Sequence, residues 1–140
     1  MLAKLDRKLG EPPPMATLLI VDDDKNIRDT LCEFFADSHE CHSADRAEQA
    51  LAFLEFERYD VILTDLSMPG LDGQQLLKRV KQTHPDTPVI VISGTCSAEE
   101  GQSSVALGAF AYLSKPFRLE DVEATVKRAL ERSPLVTPNL

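Results

Sequence analysis

Three short runs, each ending abruptly in a polar side chain, limit what this chain can fold into. Leu18-Leu19-Ile20-Val21 gives way to Asp22, Asp23 and Asp24, Val61-Ile62-Leu63-Thr64 to Asp65, and Val89-Ile90-Val91-Ile92 to Ser93. Apolarity in the first and third is continuous rather than alternating, so both faces of those strands must be covered, as in a parallel sheet between two helix layers. Between the runs the spacing turns helical. Ile27, Leu31 and Phe34/Phe35 mark a helix from about Lys25 to Ala36. Ala47, Leu51 and Leu54 mark one that opens at Asp45, with Glu48 completing a capping box, and ends near Phe56. Leu76, Leu77 and Val80 place a third over Gly73 to Gln82; Ser97 with Glu100 opens a fourth as a capping box; Leu119, Val122, Val126 and Leu130 give a last one over Leu119 to Arg132. Weaker strands are expected around Glu40 to Ser43 and Ala111 to Leu113. The result is an α/β chain of five βα units.

Composition bounds the rest. At 140 residues, 43% hydrophobic and 27% charged, the chain can bury one core. The expected division is a leader over 1–16, stiffened by Glu11-Pro12-Pro13-Pro14, one domain over 17–132, and a tail over 133–140. A net charge of -8 without dense Lys/Arg clusters argues against direct nucleic-acid binding. No apolar run approaches the roughly 20 residues of a membrane helix, and Met1 to Leu9 alternates charge with leucine, so a cytoplasmic location is expected. Cys32, Cys41 and Cys96 are odd in number and lack paired-ligand spacing, which fits reduced thiols.

In open parallel sheets the ligand crevice lies beyond the carboxyl ends of the strands, where strand order reverses. The residues at those ends are Asp22, Asp23, Asp65, Ser93 and, past the fifth strand, Lys115. Carboxylates brought that close call for a cation, and an all-oxygen set suits a hard divalent ion, Mg²⁺ above all, with Mn²⁺ in its place as the substitute. Asp24 reads instead as the N-cap of the first helix. His39, Cys41 and His42 resemble a transition-metal patch, yet strand alternation sends Cys41 to the face opposite His42. Cys96 reads as an incidental loop thiol. Neither G-x-G-x-x-G after the first strand nor a G-K-[ST] motif occurs, which removes the common nucleotide-binding folds.

Over roughly Thr17 to Arg132 the chain resembles a response-regulator receiver domain of two-component signalling. The likeness rests on Val21-Asp22-Asp23-Asp24, on Leu63-Thr64-Asp65-Leu66-Ser67-Met68-Pro69-Gly70, on Ile92-Ser93-Gly94, and on Gly108 to Phe117 with Tyr112, Lys115 and Pro116. It implies a doubly wound, flavodoxin-like sheet of five parallel strands, ordered 2-1-3-4-5, with helices on both faces. It further implies that Asp65 accepts a phosphoryl group, that Asp22, Asp23, Asp65 and the backbone carbonyl of Ser67 surround Mg²⁺, and that Ser93 and Lys115 serve as hydroxyl and cation. Ser93 and Tyr112 are implied as the switch that remodels the face made by the fourth helix, fifth strand and fifth helix, and Lys115-Pro116 as a cis peptide. Such a domain catalyses only its own phosphorylation and dephosphorylation and is otherwise no enzyme.

The implied partners are a sensor histidine kinase or histidine phosphotransfer protein upstream, and a downstream protein or fused output domain. A phosphorylation-dependent homodimer belongs to the same expectation. No helix-turn-helix or ATPase follows Arg132, so output is expected through another molecule or an attached domain. Ser67 and Thr95, small and uncharged on the expected water path, imply self-dephosphorylation that is neither very fast nor strongly blocked. A haloacid-dehalogenase-type phosphatase using Asp22 and Asp24 is the alternative from another class, but it leaves Asp65 without a role. A phosphorylation-independent pseudo-receiver is a third reading, against which the full acid, hydroxyl and lysine set speaks.

Overall fold

In the computed structural model, which describes residues 16–66, 68, 70–94 and 98–131, strands and helices alternate without exception. Strands β1 (Thr17–Val21), β2 (Glu40–Ala44), β3 (Val61–Thr64), β4 (Val89–Ser93) and β5 (Ala111–Ser114) form one sheet in the order β2-β1-β3-β4-β5, and all four pairings are parallel. The helices are α1 (Lys25–Phe35), α2 (Ala47–Phe56), α3 (Gly73–Thr83), α4 (Ala98–Ala106) and α5 (Leu119–Glu131). Strand order reverses between β1 and β3. The expected doubly wound α/β architecture is therefore the observed one, and no helix among the described residues is long and apolar enough to cross a membrane.

Continuous hydrophobicity in the central strands has a direct structural cause. Alternate residues of one strand enter two separate cores: Leu19, Val21, Ile62, Val89 and Val91 pack with Leu54 of α2 and Leu76, Leu77 and Val80 of α3. Leu18, Ile20, Val61, Leu63, Ile90 and Ile92 pack with Leu31 and Phe35 of α1 and Val122 and Val126 of α5. Each aliphatic side chain fully buried this way contributes about 1.5–3 kcal/mol relative to exposure. The sheet is thus held rigidly from both sides, which fixes where its strand ends lie.

Helix starts follow local chemistry, with one correction. Asp24 caps α1 as expected, its carboxylate accepting from Asn26 N at 2.9 Å. The capping box expected at Asp45 and Glu48 does not form: α2 is capped by Arg46 without a side-chain bond, while Glu48 Oε2 accepts from Leu71 N at 3.3 Å, drawn across to the loop before α3. A complete box occurs instead at α3, between Asp72 and Gln75. The Ser97–Glu100 box and the leader and tail lie outside the described residues or side chains. β2 carries polar Glu40, His42 and Ser43 but pairs with β1 in unbroken register from Thr17↔Glu40 to Val21↔Ala44, so the edge is regular despite its composition.

Candidate functional site

Register brings the site together. Val21 pairs with Thr64, so the next residues, Asp22 and Asp65, leave the sheet at one level on neighbouring central strands. Asp22 N donates to Ala44 O at 3.1 Å and Asp65 N to Val21 O at 2.9 Å, which carries the sheet's hydrogen bonding one residue past the strand ends. On the other side Ser93 ends β4, buried, in register with Ser114 of β5, and Lys115 N donates to Ser93 O at 2.9 Å. Lys115-Pro116 is a cis peptide, as expected.

The side chains converge from there. Asp22 and Asp65 are only 3% and 7% exposed, whereas Asp23 is open to solvent, and each of the three offers a carboxylate oxygen within 4.8 Å of the others. Lys115 Nζ donates to Asp22 Oδ2 at 2.8 Å and to Asp65 Oδ2 at 3.4 Å, tying three strand ends together through one ammonium. Burial would lower the Lys115 pKa, but hydrogen bonding and charge from Asp22, with Asp65 behind, outweigh it and hold the ammonium above its ordinary range. Asp22 is further fixed by Asp24 N, which donates to its Oδ1 at 2.9 Å, and by Arg28 Nη1, which donates to its backbone carbonyl at 2.8 Å.

Charge does not balance here. Two like charges about 4 Å apart repel by about 4 kcal/mol at an effective dielectric near 20. Three carboxylates face one ammonium, and even with the Arg28 guanidinium on the Asp22 backbone the crevice stays negative. All the donors in the cluster are oxygens, two held rigidly and one free to adjust from solvent. That set fits a hard divalent cation such as Mg²⁺.

Other expected residues fall into place unevenly. Asp24, committed to capping α1, is outside the carboxylate cluster. Tyr112 is half-buried on β5, its ring against Gly101 of α4 and its hydroxyl 3.4 Å from Ser114 Oγ. Ser67, Thr95 and Cys96 lie outside the described residues. His39, Cys41 and His42 face three different sets of partners. His39 Nδ1 accepts from Ala16 N at 3.3 Å, whereas His42 Nδ1 meets Tyr59 Oη at 2.7 Å and its Nε2 meets Glu40 Oε2 at 2.8 Å. Cys41, in register with Leu18, packs against the core covered by α1 and α5.

Three supporting residues escaped the sequence reading. Gly73 opens α3 so close to β3 that a Cβ there would sit 2.0 Å from the Asp65 carbonyl oxygen, and only glycine permits that approach. Buried Thr64 donates its hydroxyl to the same carbonyl at 3.0 Å. Arg28 holds Asp22. Asp72-Gly73 at a helix start was the available signal for the first; for the other two nothing in the sequence points at their partners.

Known proteins resemble this chain closely. Residues 18–127 match the family described as response regulator receiver domain. The DNA-binding transcriptional regulator NtrC of Salmonella typhimurium is 39% identical over 112 residues, covering 79% of this chain and 24% of its own length. The response regulator protein FleR of Pseudomonas aeruginosa is 34% identical over 103 residues, covering 73% of this chain and 22% of its own. Among solved structures, the Francisella response regulator 1452 receiver domain superposes with a TM-score of 0.79 at 32% identity, over 84% of this chain and 98% of that one. NtrX from Brucella abortus in complex with ADP gives 0.82 at 35% identity, over 87% of this chain and 28% of that one. The chain thus spans about a quarter of the length of the curated relatives it matches.

Proposed function

The chain belongs to the response regulator receiver family of two-component signalling, and from that premise we propose that it accepts a phosphoryl group on Asp65 and passes the change to a partner surface. The observation that carries this reading is the bridging of Asp22 and Asp65 by Lys115 inside a crevice with surplus negative charge. An Asp65 carboxylate oxygen attacks the donor phosphorus in line; the bond to the donor's leaving group breaks, and an acyl phosphate remains. A carboxylate approaching an already negative phosphoryl group is repelled, so catalysis consists of positioning and charge neutralisation. Lys115 Nζ, already 3.4 Å from Asp65 Oδ2, is placed to follow the charge onto the transferred oxygens. Asp22, Asp23, Asp65 and the Ser67 carbonyl would hold Mg²⁺, whose bound charge offsets the phosphoryl oxygens.

Ser93, at the end of β4, supplies the hydroxyl that meets the new phosphoryl oxygens. Its movement makes room for Tyr112, which shifts from its half-exposed place beside Gly101 and changes the surface of α4, β5 and α5. The donor is a sensor histidine kinase, a histidine phosphotransfer protein or a small phosphodonor, and the reader is a downstream protein, a fused output domain or a second copy of the chain. The chain acts on no other substrate, works in the cytoplasm and folds over 17–132 as the receiver proper. A phosphatase reading through Asp22 and Asp24 requires the Asp24 carboxylate in the crevice, and that carboxylate caps α1 instead.

Intact-mass spectrometry after incubation with acetyl phosphate and Mg²⁺ tests the proposal. One phosphoryl adduct is expected, absent in Asp65→Ala and absent with EDTA. No adduct under rapid sampling would favour the pseudo-receiver, and an adduct that persists in Asp65→Ala but disappears in Asp22→Ala would favour the phosphatase.

A further inference from the structure

At the outer edge of the sheet, away from the carboxylate crevice, a second group of donors converges, and this one includes an imidazole. Leu19 is in register with His42 and belongs to the core under α2 and α3, so period-two alternation puts Glu40 and His42 on that face of β2. The chain returns to the same place after α2. Glu57 ends that helix in extended backbone, and Tyr59 follows two residues on, buried. His42 Nε2 lies 2.8 Å from Glu40 Oε2, while its Nδ1 lies 2.7 Å from Tyr59 Oη and 3.4 Å from Glu57 Oε2. One ring nitrogen of His42 and one carboxylate oxygen from each glutamate lie within 4.8 Å of one another. Among the described residues neither glutamate meets a lysine or arginine, so two carboxylates share a single imidazole.

We propose that Glu40, His42 and Glu57 bind a borderline divalent ion, Zn²⁺, which fastens the edge strand β2 to the segment joining α2 to β3. Donor chemistry separates this site from the rim. There the donors are oxygens alone and suit Mg²⁺, whereas an imidazole with two carboxylates suits zinc. Spacing agrees with that choice. Bonds of about 2.0–2.1 Å in a tetrahedron put ligand atoms about 3.4 Å apart, and His42 Nδ1 and Glu57 Oε2 already stand at 3.4 Å. Mobility is distributed as metal capture needs. The ring is the fixed element, held by the hydroxyl of buried Tyr59, and both glutamate side chains are exposed and can swing onto the ion. Three protein ligands leave a fourth position to water. Cys41 takes no part, because its register with Leu18 places it on the opposite face of the strand.

The test uses the full chain, stripped with EDTA that is then removed, and titrated with Zn²⁺ while excess Mg²⁺ competes at the rim. Long-range ¹⁵N–¹H NMR follows the imidazole nitrogens of His39, His42 and His84, the three histidines of the chain. The expected result is a shift of the His42 ring nitrogens that is complete at one equivalent, with those of His39 and His84 unmoved. His42→Gln and Glu57→Gln should each bind zinc at least about tenfold more weakly against a competing chelator dye, on the scale by which losing one group at a metal centre lowers affinity. His42 nitrogens that stay in place while zinc is taken up at the thiols or the rim, or that move only together with those of His39 and His84, would overturn the proposal, as would unchanged affinity in both variants. Should His42→Gln lose its circular dichroism signature, Glu57→Gln, altered only at an exposed carboxylate, decides with the wild-type spectra.

Discussion

The carboxyl ends of β1, β3, β4 and β5 and the body of β2 both carry chemically active side chains, but they dispose of them differently. At the strand ends, register places Asp22 level with Asp65 and Ser93 level with Ser114, just before Lys115, so functional groups from distant parts of the sequence converge and their charges do not cancel. Along β2, alternation separates neighbours. His42 goes to Tyr59 and Glu40 on one face, and Cys41 goes to the core covered by α1 and α5 on the other. A strand body distributes its side chains over two faces, whereas strand ends gather theirs at one rim. The rim is left with surplus negative charge, whereas His42 at the edge is held between Tyr59 and Glu40.

Removing the rim's ammonium tests that contrast most severely. Lys115→Ala should slow phosphorylation from acetyl phosphate by about 10²–10³-fold, the usual cost of deleting one electrostatic stabiliser. Glu40→Gln, which alters charge only at the β2 edge, should leave the rate unchanged in the same stopped-time mass assay. Equal slowing in both would abolish the distinction between the regions.

Next in size is the support beneath Asp65. Gly73→Ala forces a Cβ into the Asp65 carbonyl and should cost about 1–3 kcal/mol, read as a lower urea midpoint at unchanged slope. Smaller again is the helix cap on the same loop: Asp72→Ala should lose about 1 kcal/mol by the same measurement, because it removes a formed capping box. Asp45→Ala, at the helix start where no side-chain cap forms, should stay within about 0.5 kcal/mol.

The smallest effect belongs to the N-terminal end of the sheet. Burial lowers the pKa of His39 from its ordinary 6.5, with Asp60 and Glu123 opposing, and its Nδ1 accepts the Ala16 amide. The neutral ring is thus favoured by the fold. Above about pH 6.5 both folded and unfolded forms are neutral and nothing is lost; as pH falls below that value the unfolded chain takes the proton first, and stability declines. Thermal midpoints between pH 7.5 and 5 should fall more steeply for the wild type than for His39→Asn, and parallel slopes would remove His39 from the account.

Much of this was legible in the residues because it depends on local periodicity. Leu18 to Val21 and Val89 to Ile92 announced two covered faces, and Asp22, Asp65, Ser93 and Lys115 stood at the ends such strands must have. What escaped depends on distance in space. Glu48 has the type and position for a capping box, yet Leu71, remote in sequence, offers its amide and takes the carboxylate. Gly73 looked like a turn residue until the Asp65 carbonyl was found against it.

The central claim is that the rim's carboxylates are not equivalent and that Asp65 alone carries the phosphoryl group. Borohydride reduction of the phosphorylated chain converts an acyl-phosphorylated aspartate to homoserine, which peptide sequencing by mass spectrometry can place. Homoserine at position 65, with Asp22 and Asp23 unchanged, is the predicted result; homoserine at position 22, or at none of the three in a chain shown to carry the adduct, would contradict it.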